Sequence, residues 1–85
     1  MSIVPNASVL TSTAYSPNPI AIKVGDSVTW RNDDNTAHTS SANNGAWDSG
    51  TINPGGSFRT TFNNAGTFAY RCMIHPNMVG TVTVQ

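Results

Sequence analysis

The apolar residues of this chain come in short alternating runs, each closed by a Gly, Pro or Asn cluster. No segment sustains a helical period, and that pattern restricts the chain to β-structure. Ile20, Ile22 and Val24 alternate with Ala21 and Lys23. After Gly25-Asp26, Val28 and Trp30 share one face of the next run, so the pair reads as a hairpin or a tight corner. Further on, Phe58, Thr60 and Phe62 share a face, as do Phe68, Tyr70 and Cys72, and then Val82 and Val84. Ile3 to Val9 reads as a first strand, placed at an edge because Pro5 cannot donate to a ladder. Tyr15 to Pro19 reads as a loop held extended by its two prolines, and Trp47 to Gly50 as a short strand or bend. Glu is absent and Leu, Lys and Gln are scarce, which leaves few good helix formers. About seven short strands with regular turns predict an all-β sandwich.

The length of 85 residues predicts a single domain spanning 1–85. A chain this short buries only about 60–65% of its unfolded surface, so its core is small. One cysteine, Cys72, cannot form an internal disulfide, and a bound metal is a natural source of added stability. Lys23, Arg31, Arg59 and Arg71 balance Asp26, Asp33, Asp34 and Asp48 to a net charge of zero. There is no basic stripe to support nucleic-acid binding and little charge to steer a partner from a distance. No apolar run is long enough to span a membrane, and Met1 to Asn6 lacks the basic and apolar regions of a signal peptide.

The chemistry concentrates in Tyr70-Arg71-Cys72-Met73-Ile74-His75-Pro76-Asn77-Met78. A thiolate, an imidazole and a thioether at C-x-x-H-x-x-M spacing form a soft donor set suited to copper. Cys72 ends a strand on the core-facing side, and His75 and Met78 lie on the loop that follows, stiffened by Pro76. His38 is the only other histidine, so a site with two imidazoles must use both. Met1 is terminal and Met73 points away from the Cys72 face, which leaves Met78 as the natural axial donor. Taken singly, each residue has an ordinary explanation. A lone Cys is more often a small core hydrophobe, Met78 a gap filler, and His38 or His75 a surface histidine. The four together match a mononuclear blue-copper site, with one copper per chain.

At this point the sequence resembles the small cupredoxins of the plastocyanin, amicyanin and pseudoazurin kind. Val24-Gly25-Asp26-Ser27-Val28-Thr29-Trp30-Arg31-Asn32 is similar to the family's V-G-D-x-V-x-W-x-N strand pair. Trp47-Asp48-Ser49-Gly50 through Pro54-Gly55-Gly56-Ser57-Phe58 resembles its F-x-S-G-x-x-x-P-G-x-x-F segment. Gly66 to Cys72 and His75 to Gly80 resemble its C-terminal signature, the short loop being most like amicyanin. The resemblance implies a Greek-key sandwich with His38 and His75 as imidazole ligands, Cys72 as the thiolate and Met78 as the weak axial thioether. It implies that the backbone N–H of Thr39 donates to the Cys72 sulfur. It further implies a monomer that exchanges electrons with redox proteins through a solvent-facing His75, ringed by Met73, Ile74 and Pro76. An extracytosolic setting (periplasmic, luminal or membrane-exterior) goes with it. The family usually carries Asn after its first His, where it ties the two ligand loops. Thr39 stands there in this chain, so the tie is expected to weaken or to pass to Ser40 or Asn32. Trp47 also replaces a commoner Phe, and the region before it is short.

The leading expectation is therefore a one-electron carrier cycling Cu(II) and Cu(I), with no small-molecule substrate and no enzymatic role. A copper carrier is the second reading, but such proteins favour exposed Met-rich or C-x-x-C sites. A thiol enzyme built on a Cys72–His75 dyad is the third, with no orienting carboxylate evident nearby and Asp48 the only one weighed for the role. A structural sandwich would leave the four-donor coincidence unexplained.

Overall fold

The computed structural model describes residues 1–85 as two four-stranded sheets packed face to face. In chain order the strands are β1 (Ser2–Ile3), β2 (Tyr15–Ser16), β3 (Ile20–Ile22), β4 (Ser27–Asn32), β5 (Ser41–Ala42), β6 (Ser57–Thr61), β7 (Gly66–Arg71) and β8 (Val79–Val84). One sheet runs β2-β1-β4-β6 and the other β3-β8-β7-β5. β1 pairs parallel with β4 and β3 parallel with β8, while the remaining pairs are antiparallel. This is the Greek-key sandwich expected, with eight strands where about seven were counted.

The alternating runs explain the packing. Val28 and Trp30 of β4, Tyr70 of β7, and Val82 and Val84 of β8 all turn into the space between the sheets and are buried. Trp30 stacks on Trp47 at a centroid distance of 5.7 Å and meets the edge of Tyr70 at 5.4 Å. Tyr70 in turn packs edge-on against Tyr15 at 4.8 Å. Such aromatic pairs contribute about 0.5–1.5 kcal/mol each beyond the area they bury. The indole N–H of Trp30 is buried among these rings without a hydrogen-bond partner. Burial pushes the Tyr70 phenol up to about 12.

The Gly25-Asp26 turn is a corner and not a hairpin. β3 belongs to one sheet and β4 to the other. Gly25 sits at φ +94°, donates to the Phe62 carbonyl at 2.7 Å, and lets the chain cross between layers.

Two sequence expectations fail near the N-terminus. The strand foreseen over Ile3–Val9 ends at Ile3, because Pro5 brings no N–H and Asn6 adopts a left-handed φ of 65°. Ala7–Val9 then form a single 3-10 turn. The loop foreseen from Tyr15 begins instead as β2, since Ile3 pairs with Tyr15 and Ser2 with Ser16. A two-residue strand has no alternation to read, so only its partner reveals it.

Candidate metal centre

Three loops meet at one end of the sandwich. Cys72 follows β7 directly, and its side chain is fully buried. Its N–H donates to the Met78 carbonyl at 3.1 Å, closing the ligand loop on itself. Within that loop the Met78 N–H donates to the His75 carbonyl at 2.9 Å. This makes His75-Pro76-Asn77-Met78 a tight turn with proline at its second position, where proline's fixed φ fits best. The Asn77 amide pins the turn from outside by donating to the Ser8 and Leu10 carbonyls at 3.1 and 2.8 Å. The 3-10 turn missed in the sequence is thus the buttress of the ligand loop.

His38 comes from the polar segment between β4 and β5. Its backbone exchanges hydrogen bonds with Ile52, 3.2 Å from its N–H and 2.7 Å to its carbonyl. The side chain of Asn32 shapes the same segment, donating to the Thr36 and Ile52 carbonyls and accepting the Asp34 N–H. His38 is completely buried, so the surface-histidine explanation does not apply to it.

The donor atoms converge. The Nδ1 atoms of His38 and His75 each lie 3.8 Å from the Cys72 Sγ. All three donors fall within 4.8 Å of one another. The two imidazole rings stand 5.0 Å apart. A trigonal centre with bonds of about 2.0 Å to nitrogen and about 2.3 Å to sulfur holds such donors about 3.7 Å apart. The spacing therefore fits a metal ion between them, and thiolate with imidazole favours copper. Met78 is also fully buried, in the same core cluster as Cys72. Met73 is 53% exposed, consistent with its expected outward direction.

The sulfur's surroundings are polar on one side. The N–H groups of Thr39 and His75 both approach it at 3.4 Å, the first of these as the resemblance implied. Charge-assisted donors of this kind stabilise a thiolate. The Tyr15 hydroxyl donates to the Thr39 carbonyl at 2.7 Å. Burial first, and then the nearby Cys72 thiolate, push the Tyr15 phenol far above its ordinary range.

Two features differ from the sequence reading. The tie between ligand loops is made neither by Ser40 nor by Asn32 but by Thr39 itself, whose hydroxyl accepts the Met73 N–H at 2.8 Å. A hydroxyl is long enough because the loops approach closely here. An orienting carboxylate is also present: Asp34 Oδ2 lies 2.7 Å from His38 Nε2. Asp48, the carboxylate weighed in the sequence, instead accepts the Ser41 hydroxyl and the Gly50 N–H. An acid four residues before a ligand was visible in the sequence, but in a loop that spacing fixes no contact.

A model of copper-binding proteins of the plastocyanin/azurin family matches residues 6–85. Plastocyanin from Scenedesmus fuscus is 33% identical over 84 residues, covering 84% of this chain and 86% of that protein. The structure of a novel purple cupredoxin from Nitrosopumilus maritimus is 34% identical, with a TM-score of 0.89 over 99% of this chain and 96% of that one. A Cu(I) form of an amicyanin variant is 32% identical, with a TM-score of 0.77 over 84% of this chain and 72% of that one. On this match and this arrangement of donors, the chain belongs to the plastocyanin/azurin family of copper-binding proteins and is a type 1 copper electron-transfer protein.

Proposed function

We propose that His38, Cys72 and His75 hold one copper ion, with Met78 as its weak axial donor, and that electrons enter and leave through His75. The observation that carries the assignment is the pair of 3.8 Å separations from the Cys72 sulfur to the two imidazole Nδ1 atoms. Copper, when bound, supplies a one-electron couple between Cu(II) and Cu(I). The chain supplies a donor set already in place, held by hydrogen bonds that do not involve the metal. His75 is half-buried, whereas His38 has no exposed surface. The exit is therefore assigned to His75. Met73 and Ile74, 53% and 49% exposed, flank it together with exposed Pro76 and form an uncharged rim for a redox protein. An Ile74→Lys change is expected to slow exchange with such a partner while leaving the potential in place. An unchanged rate would remove Ile74 from the docking rim.

The same reading takes the protein as a single domain over 1–85 and a monomer that is not an enzyme. No helix is long and apolar enough to cross a membrane. The extracytosolic setting belongs to the proposal through the family resemblance.

The Asp34–His38–Cys72 sequence of contacts brings a thiol-enzyme reading back into view, since it has the order of a nucleophile, a base and an orienting acid. Burial argues against it: Cys72 has no exposed surface for a substrate to reach. Titration of the metal-free protein with Cu(II), followed by visible absorption and EPR, decides between them. An intense charge-transfer band saturating at one copper per chain is expected. A colourless protein whose Cys72 reacts rapidly with iodoacetamide would support the enzyme reading instead.

A further inference from the structure

His38 is held at three points. Its backbone is locked to Ile52 on both the N–H and the carbonyl. Its ring, completely buried, has Nδ1 facing the Cys72 sulfur and Nε2 facing the Asp34 carboxylate at 2.7 Å. Asp34 is itself fixed. Its other oxygen accepts the N–H groups of Asn6 at 3.1 Å and Asn35 at 2.8 Å, and its own N–H donates to the Asn32 side chain at 3.0 Å. Only 5% of its side chain is exposed.

This arrangement decides which ring nitrogen carries the proton. An ionised carboxylate only accepts, so the nitrogen facing it must donate. Nδ1 is then left with a free lone pair, the form a metal needs. The carboxylate also places a fixed negative charge one ring away from the ion, and negative charge favours Cu(II) over Cu(I).

We propose that Asp34 is a positioning residue for the copper couple. It fixes His38 as the Nε2–H tautomer, aims Nδ1 at the site, and lowers the reduction potential through its charge. This rests on the ligand assignment above, but part of its test does not need copper. In the metal-free protein, long-range ¹H–¹⁵N spectra are expected to show His38 protonated at Nε2 and bare at Nδ1. An Nδ1–H tautomer there would overturn the proposal.

Two substitutions separate the roles of position and charge. Asp34→Ala removes both, and a tenfold loss of preference for Cu(II) over Cu(I) raises the potential by about 59 mV. In Asp34→Asn, the amide oxygen is still wanted by the Asn6 and Asn35 N–H groups, so the amide NH₂ turns towards His38 Nε2. That reverses the tautomer, and Cu(II) affinity is expected to fall by about 10–100-fold, the usual cost of losing an outer-shell partner. A coloured Asp34→Ala protein with the wild-type potential overturns the electrostatic role, and an Asp34→Asn protein with wild-type affinity overturns the positioning role. If neither variant folds, the wild-type tautomer still decides. A wild-type protein that takes up copper without colour would instead refute the ligand assignment, a result distinguishable from both.

Discussion

Replacing Gly80 with alanine tests the packing that leads from the core to the metal centre. Gly80 lies directly opposite Tyr70 across the β7–β8 ladder. The Tyr70 ring fills the place where a side chain at Gly80 would stand. An added Cβ comes 2.8 Å from Tyr70 Cε1 and closer still to Cζ and the hydroxyl oxygen, nearer than real Cβ contacts come. The ring cannot swing away freely, because Tyr15 and Trp30 hold it from other sides at 4.8 and 5.4 Å. Overpacking of this kind costs about 1–3 kcal/mol. Each disturbed aromatic pair adds up to about 0.5–1.5 kcal/mol. We take about 3 kcal/mol for Gly80→Ala, which lowers the melting temperature of a domain this size by about 12–24 °C. Thermal unfolding of the metal-free protein measures it, so that metal binding does not mask the loss. The control is the same change in a Tyr70→Leu background. With the ring gone, Gly→Ala is expected to be neutral or stabilising by about 0.4–1 kcal/mol, through reduced freedom of the unfolded chain. A Gly80→Ala protein melting within about 4 °C of wild type, equivalent to about 1 kcal/mol or less, would refute the reasoning. So would an equal loss in both backgrounds.

Thr39→Val keeps the shape but leaves the Met73 N–H without its acceptor, so denaturant unfolding should show a loss of about 1–3 kcal/mol. Thr39→Ser, which keeps the hydroxyl, should recover most of it. The Gly50 N–H first, and then the Ser41 hydroxyl, hold the Asp48 carboxyl below its ordinary range. Its folded-state value is thus lower than the unfolded one, so its contribution is present above about pH 3.9 and is lost as pH falls through the folded value. Urea midpoints of Asp48→Asn are expected to decline less steeply with acid than those of wild type, and parallel curves would refute this. Cys72→Ser should abolish the visible charge-transfer band, whereas Met78→Gln should keep coloured copper at a shifted potential. If Met78→Leu left both spectrum and potential untouched, Met78 would not be the axial donor.

The longer strands were legible because each carries its own alternation: Val28 and Trp30 in β4, or Val82 and Val84 in β8, point inward as the pattern requires. The short elements were not. β2 exists only because Tyr15 finds Ile3, and the 3-10 turn at Ala7–Val9 only because Asn6 reverses the chain. The convergence of His38, Cys72 and His75 was legible for a different reason, the scarcity of their residue types, since two histidines and one cysteine leave little choice. Their hydrogen-bond partners had no such advantage. Asp34 is one of four aspartates, and nothing in its spacing from His38 distinguishes it from Asp33 next door. Yet Asp33 faces Ser2 and Arg31 at the surface while Asp34 turns inward. That choice is made by the Asn32 side chain, which accepts the Asp34 N–H and bends the loop.

Moving an electron costs least when the donors need not move with it. Each part of this site is fixed by contacts that would persist in either oxidation state. Asn77 ties the His75 turn to the Ser8 and Leu10 carbonyls, Thr39 ties that loop to the His38 segment, and Asp34 fixes the His38 ring. The two imidazoles are not held alike. His38 is sealed in the core with both ring nitrogens facing protein groups, whereas His75 is half-buried among exposed Met73, Ile74 and Pro76. Only His75 offers surface that a partner could meet. On the proposed function the asymmetry divides the work: the buried histidine, held by Asp34, sets the geometry and potential of the couple, and the half-buried one provides its contact with the outside.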